Sequence, residues 1–299
     1  MSPASAYYAS QLRHELSLRN RVFAEERRLP RVESYGGMGV TVYEPHRTRR
    51  RHGNFFDESY AAILDHPEWR KRLEKVHTSA GSSLPNTSRG WKELDSSMSS
   101  DALLMNIFCC PFVADDSRVL AMLDVDGAEL PQFGFRARVP LKNGHADRTE
   151  VDMKVGNMLF EAKLTEADFQ SASVSTLANY RDFEEVFNRR ALPVENGKLN
   201  SYQLLRNVLA AHAGDCRFCV LLDARRPDLL ENWFAVLQSI RLFDLRLRCK
   251  VLTWQEISAL LPDSLCDFLD RKYGIVPPGR QPSPIPSVDE VADRDAKKR

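Results

Sequence analysis

The sequence has no stretch that could cross a bilayer. Its most apolar run, ALLMNIFCCPFVA (102–114), is shorter than the roughly 20 residues a membrane helix needs, and Asn106 and Pro111 interrupt it. The first twenty residues lack the apolar core of a signal peptide. A cytoplasmic location is therefore expected. Net charge is nearly absent too: 42 Lys and Arg face 41 Asp and Glu, a formal +1, so the field of the whole molecule announces no polyanionic partner. Any nucleic-acid contact must come from a local basic patch. Cysteine is sparse, six in 299 residues, and in a reducing compartment these read as free thiols. The pairs Cys109–Cys110 and Cys216–Cys219 could supply four thiolates to zinc. A zinc knuckle, however, needs a turn between its paired cysteines, and Cys219 lies inside the strand-like run RFCVLLDA. Buried apolar thiols are the favoured reading. No internal repeat is present. A hydrophobic content of 43% over this length is enough to bury a full core without disulfide staples.

Residues 1–56 read as irregular and charged, and the run RTRRRH (47–52) fits either a solvated loop or a phosphate contact. DESYAAILDHPEWRKRLEKVH (57–77) predicts a helix, with Asp57 as a cap and Pro67 restarting a turn, and TSAGSSLPNTSRG (78–90) predicts a loop. WKELDSSMSSDALLMNIF (91–108) reads as a helix interrupted near its serines, and DDSRVLAMLDVDG (115–127) as a short helix ending at Gly127. The period then changes. In FGFRARV (133–139), Phe133, Phe135, Ala137 and Val139 alternate with Gly134, Arg136 and Arg138, as on a half-buried strand.

A long helical stretch is expected over 166–190, then a loop around Pro193 to Gly197. NSYQLLRNVLAAHA (200–213) is an amphipathic helix: Leu204, Leu205, Val208 and Leu209 form its apolar stripe, and Gln203, Arg206 and Asn207 lie on another side. Strand 217–224, helix 228–243, strand 249–254 and a helical 255–272 follow. After Ile275, five prolines and then mostly charged and small residues predict a disordered tail. The expected fold class is α/β: a mixed central sheet of three consecutive strands in a meander and two more, flanked by helices. The expected organisation is an N-terminal extension (1–90) packed on a core domain (91–275), then the tail (276–299).

EVDMKVGNMLFEAKLTE (150–166) carries the chemistry. Gly156 and Asn157 in a two-residue type II′ loop set the register of a hairpin. Val151, Met153, Val155, Met158, Phe160 and Ala162 then share an apolar face, and Glu150, Asp152, Lys154, Leu159, Glu161 and Lys163 the other. Asp152 and Glu161 become direct cross-strand neighbours with Cβ atoms roughly 5 Å apart. Such a like-charged pair is unfavourable alone and favourable around a divalent cation, since Mg²⁺ takes one or two carboxylates and leaves other positions to water and phosphate. Lys163, on the same face, can hold a water beside the metal. The alternative is a solvated hairpin surface whose charges face water.

Asp152, eight residues, then Glu161-Ala162-Lys163, on a hairpin after a helix, resembles the PD-(D/E)XK or restriction-endonuclease-like nuclease superfamily. The order of elements from 115 to 224 is similar to that superfamily's core. SYQLLRNVLAA (201–211) is similar to the downstream helix of its RecB-like branches, where a Gln faces the site; this points to Gln203. Those branches often carry Tyr four residues later, where this chain has Asn207. DSSMSSDALLMNIFCCPF, FEAKLTE and YQLLRN together resemble a bacterial branch of uncharacterised restriction-endonuclease-like proteins, over roughly residues 91–255. Val151 stands where the motif's Pro would be. The resemblance implies a Mg²⁺-dependent endonuclease (Mn²⁺ as a substitute) acting on nucleic acid, DNA in the first place. Asp152 and Glu161 would bind the metal, with the Ala162 carbonyl as a further donor, Lys163 would position the attacking water, and Gln203 would orient it. Arg136 and Arg138 are candidates for phosphate contacts or simply solvated strand charges. Glu93 or Asp95 could add an upstream carboxylate, although an exposed helix face is the favoured reading. A non-catalytic binding module with the same fold is the competing expectation.

Overall fold

The computed structural model describes residues 3–34, 39–46, 50–76, 92–125 and 129–285. The first three residues of RTRRRH, the loop 78–90, Gly127 and the tail from 286 lie outside the described residues. Along the chain, helix α1 (Pro3–Glu26) precedes strands β1 (Arg31–Glu33) and β2 (Thr41–Tyr43), then α2 (Asp57–Asp65), α3 (Pro67–Arg72), α4 (Ser100–Phe108) and α5 (Ser117–Leu123). Strand β3 (Gln132–Arg136), the short pair β4 (Val139–Pro140) and β5 (Ala146–Asp147), and the hairpin β6 (Glu150–Val155) and β7 (Met158–Ala162) follow. Next come β8 (Ala172–Ser173), α6 (Val174–Ala178), α7 (Phe183–Val186), β9 (Val194–Glu195), β10 (Lys198–Leu199) and α8 (Tyr202–Ala213). The chain closes with β11 (Arg217–Leu222), α9 (Pro227–Ser239), α10 (Phe243–Leu247), β12 (Cys249–Thr253), α11 (Trp254–Ser258) and α12 (Asp263–Tyr273).

Two stretches differ from the sequence expectation. Residues 1–56, read as irregular, begin with the 24-residue helix α1. Its buried Ala9, Leu12, Leu16 and Phe23 recur at helical spacing, but the serines and charges between them dilute the apolar signal. Over 166–190 no long helix forms; α6 and α7 have five and four residues. Gln170 sits at φ +59, and the Asp168 carboxylate accepts the Gln170 N–H at 2.8 Å, so a side chain offers the backbone an alternative to the helix. Ser173 caps α6 instead, accepting the Thr176 N–H. Residues 276–285 carry no regular structure, and Ser283 hydrogen-bonds Asp270. Among the described residues no helix is long and apolar enough to cross a membrane.

The chain divides into two compact units, residues 1–9 with 120–254, and residues 10–119 with 255–299. Helix α4, expected within the core domain, therefore falls in the second unit. There α4 is buried along its whole length. Its Asp101 accepts from Arg72 at 2.8 Å and Lys75 at 2.9 Å. Burial pushes the Asp101 pKa up, but Lys75 and Arg72 outweigh it and hold the carboxyl below its ordinary value.

In the first unit a five-stranded sheet has the order β12-β11-β7-β6-β3. The neighbours β3, β6 and β7 are antiparallel meander strands, whereas β7, β11 and β12 run parallel. This is the expected mixed sheet. β7 is its central strand, and all five of its residues are buried. Leu159, assigned by alternation to a polar face, is 1% exposed and packs in one cluster with Phe218 and Val220 of β11 and Leu204, Leu205, Val208 and Leu209 of α8. The hairpin register follows its turn: Val155 pairs with Met158, Lys154 with Leu159, Met153 with Phe160. Gly156 takes φ +53, as the first central position of a type II′ turn requires. A Cβ there would also meet the buried Val125 Cγ1 at 3.1 Å. Gly156→Ala is therefore expected to destabilise the first unit by about 1 kcal/mol or more, read as a lower urea midpoint with tertiary fluorescence as the probe.

Candidate active site

The β6–β7 ladder stops one step before the expected Asp152–Glu161 pair. Its last paired residues are Met153 and Phe160. Asp152 replaces the next ladder bond with its side chain: Oδ2 accepts the Ala162 N–H at 2.7 Å. Two carboxylates directly opposed would repel. Instead one of them is tied to the backbone between Glu161 and Lys163.

The face carrying these groups is no solvated hairpin surface. Glu161 is 0% and Lys163 7% exposed, because α8 lies over them. Lys163 Nζ donates to Glu161 Oε1 at 2.8 Å and to Gln203 Oε1 at 2.9 Å. The Asn207 amide donates through Nδ2 to Glu161 Oε2 at 2.7 Å. Arg206, 2% exposed, donates to the Thr149 carbonyl at 2.9 Å and the Glu150 carbonyl at 2.8 Å, fixing the entry to β6. Gln203, Arg206 and Asn207 stand at i, i+3 and i+4, so one side of α8 reaches all three. The sequence placed these residues together opposite the apolar stripe, but only Gln203 was assigned to a site. Three neutral or cationic polar residues on one helical edge, facing a strand with a Glu-x-Lys, would have been the signal for Arg206 and Asn207.

Backbone bonds hold this arrangement from behind. The Tyr202 N–H donates to the Gln170 carbonyl and the Gln203 N–H to the Phe169 carbonyl, each at 3.0 Å, so the 169–170 segment sets the first turn of α8. Trp254 Nε1 donates to the Lys163 carbonyl at 2.9 Å, and the Lys163 N–H donates to Leu221 at 2.8 Å. Burial alone would push the Lys163 pKa down; Glu161, Glu166 and Asp152 outweigh it and raise it, so the side chain stays an ammonium at neutral pH.

Arg136 is exposed at the end of β3, with its Nε 4.0 Å from Glu150 Oε2. Arg138 is exposed just beyond. In the second unit Glu93 pairs with Lys75 at 3.0 Å, and Asp95, on a buried turn rather than an exposed helix face, meets His52 Nε2 at 3.0 Å. All six cysteines are free thiols. Among the described residues no three His, Cys, Asp or Glu gather as a metal cluster. Mg²⁺ needs no such cluster, since one or two carboxylates with water and phosphate suffice. The local donors are hard oxygens, which suit Mg²⁺ or Mn²⁺ rather than a thiolate-seeking metal. Asn207 Oδ1 is buried and has no hydrogen-bond partner among the described residues.

Removing Lys163 should expose what it holds. Lys163→Met leaves a carboxylate of 0% exposure without its cation. We expect a loss of about 3 kcal/mol, measured by metal-free denaturation. Glu161→Gln in the same chain should recover most of that loss, a coupling readable in a double-mutant cycle.

No curated protein and no solved structure matches the chain. A family model does, described as a restriction endonuclease associating with ARP, over residues 28–274. The match spans both halves of the hairpin, α8 and the full five-stranded sheet. The chain belongs to that restriction-endonuclease-like family.

Proposed function

We propose that the protein is a metal-dependent nuclease that hydrolyses phosphodiester bonds, DNA being the first substrate to test. The observation that carries this reading is the gathering of Asp152, Glu161, Lys163 and Gln203 at one place under α8. Asp152 and Glu161 would hold Mg²⁺ or Mn²⁺, with the Ala162 carbonyl as a further oxygen donor. Such an ion supplies charge to the phosphate as it is attacked and lowers the pKa of water.

The chain's own residues supply the rest. An ammonium has three N–H donors. Two of those on Lys163 are engaged, by Glu161 and Gln203, which leaves the third to orient a water. Gln203 fixes the direction of that lysine from the side. Asn207 fixes the Glu161 carboxylate by holding Oε2. Arg136 and Arg138, exposed beside the entry to β6, would meet backbone phosphates.

Purified protein should cleave DNA with Mg²⁺ or Mn²⁺ and lose that activity in EDTA. Asp152→Asn and Lys163→Ala should each lower the rate about 10²–10³-fold, the scale of removing one electrostatic contact to a developing charge. Failure of clean protein to cut any DNA or RNA with either ion sinks the reading, and metal-independent binding that survives Asp152→Asn would then favour a non-catalytic module. Asn207→Leu tests the support of Glu161 separately. Loss of an outer partner weakens metal binding about 10–100-fold, measurable as Mn²⁺ affinity by titration calorimetry without any substrate.

A further inference from the structure

Charges in the first unit are unevenly partnered. Arg217, Arg225, Arg226 and Arg248 each sit in an ion pair with an aspartate. Six other cations, Arg138, Lys142, Arg148, Arg189, Arg190 and Lys198, are exposed, and among the described residues their side chains have no ion-pair or hydrogen-bond partner. They fall on two segments only. Arg138, Lys142 and Arg148 lie on and beside the β4–β5 hairpin, which turns at Asn143-Gly144. Arg189 and Arg190 precede the β9–β10 hairpin and Lys198 lies on it; its loop is Asn196-Gly197, at φ +51 and +73.

Each hairpin runs directly into an element of the candidate site. β5 ends at Asp147, five residues before Asp152, and β10 ends at Leu199, four before Gln203. A chain reaches at most about 3.6 Å per residue, so these hairpin ends lie within about 18 Å and 14 Å of the two site residues. The first hairpin is also tied down. Tyr180 Oη donates to Asp147 at 2.6 Å and shares a 2.9 Å hydrogen bond with Tyr202 Oη, next to Gln203. The Lys142 N–H donates to the Asn179 carbonyl at 2.9 Å. The acids on these hairpins are occupied: Asp147 by Tyr180 and Thr149, Glu195 by Asn200. Their cations face water.

We propose that the two hairpins are cationic arms that bind the phosphodiester backbone of a nucleic-acid duplex beside the carboxylate site. One duplex strand carries a phosphate about every 3.4 Å, so both segments fall within a few nucleotide steps of a backbone lying at the site. The position of the scissile bond rests on the nuclease reading; the binding rests on the charge pattern.

The test uses the full chain carrying Asp152→Asn, without divalent metal, and fluorescence anisotropy with labelled duplexes of about 25 base pairs, one DNA and one RNA, across a salt series. Three sets are compared: Arg138→Gln/Lys142→Gln/Arg148→Gln, Arg189→Gln/Arg190→Gln/Lys198→Gln, and the control Lys71→Gln/Arg118→Gln/Arg271→Gln, whose cations are exposed but ion-paired. Each hairpin set should weaken binding about 10-fold or more near 0.1 M salt and flatten the log–log salt slope by about 2–3, with the control unchanged. Which duplex responds identifies the nucleic acid. A parent that binds neither duplex at low salt, or hairpin sets that bind like the control, overturns the proposal. A parallel cleavage assay on the unmutated chain separates the two ideas. Hairpin-dependent binding without metal-dependent cleavage keeps the arms and removes the nuclease; cleavage with hairpin-independent binding does the reverse.

Discussion

Glu161 is a carboxyl side chain with no exposed surface, and the first unit is organised around giving it partners. Moving such an ion out of water costs several kcal/mol unless geometry and hydrogen bonds compensate. Lys163 supplies the opposite charge, and Asn207 satisfies the second oxygen. Those two contacts demand a helix at a fixed height and rotation over β7, and that helix is α8. Its apolar stripe buries against β7 and β11, while its polar edge reaches the ion pair. Stability and site geometry are thus set by one docking event.

Some local departures from comfortable structure lie near this point. Gln170 and Ser201 are non-glycine residues at φ +59 and +62, and such conformations cost on the order of 1–3 kcal/mol each. They flank the joint where the 169–170 backbone receives the first N–H groups of α8. Asn207 Oδ1 is a buried acceptor with no donor among the described residues. β6 breaks from its ladder so that Asp152 can take the Ala162 N–H. A sequence tuned only for stability would relax each of these.

The sheet was legible because its signals are local. A Gly-Asn loop fixes the β6–β7 register, alternation marks β3, and two apolar runs mark β11 and β12. The gathering of Gln203 with Lys163 followed from the superfamily resemblance, not from spacing. What stayed hidden was non-local. Period-2 alternation put Leu159 and Glu161 on the charged face and left open whether that face meets solvent, since nothing within the hairpin reveals that α8 covers it. The same blindness hid Arg206 and Asn207, whose partners lie more than 40 residues away in sequence. The long helix expected over 166–190 failed for a different reason: Asp168 offers the backbone a side-chain hydrogen bond that competes with helical ones, and Ser173 caps a new short helix.

A near-neutral chain can still present a strong local field. With 42 cations against 41 acids, the formal sum is uninformative. The sorting is informative, because an ion pair cancels its own field beyond a few ångström while an unpaired exposed cation does not. In the first unit, arginines near the sheet's far edge are largely consumed by aspartates, as in Arg217–Asp124 and Arg248–Asp215. The hairpins leading into Asp152 and Gln203 leave theirs unspent. Screening confines such fields to about 10 Å at ordinary ionic strength, so they act only on what already lies against the hairpins. The charge pattern therefore favours contact with a polyanion at the site over long-range capture, which is the behaviour a nearly neutral protein needs if it is to engage a backbone without adhering to every one it meets.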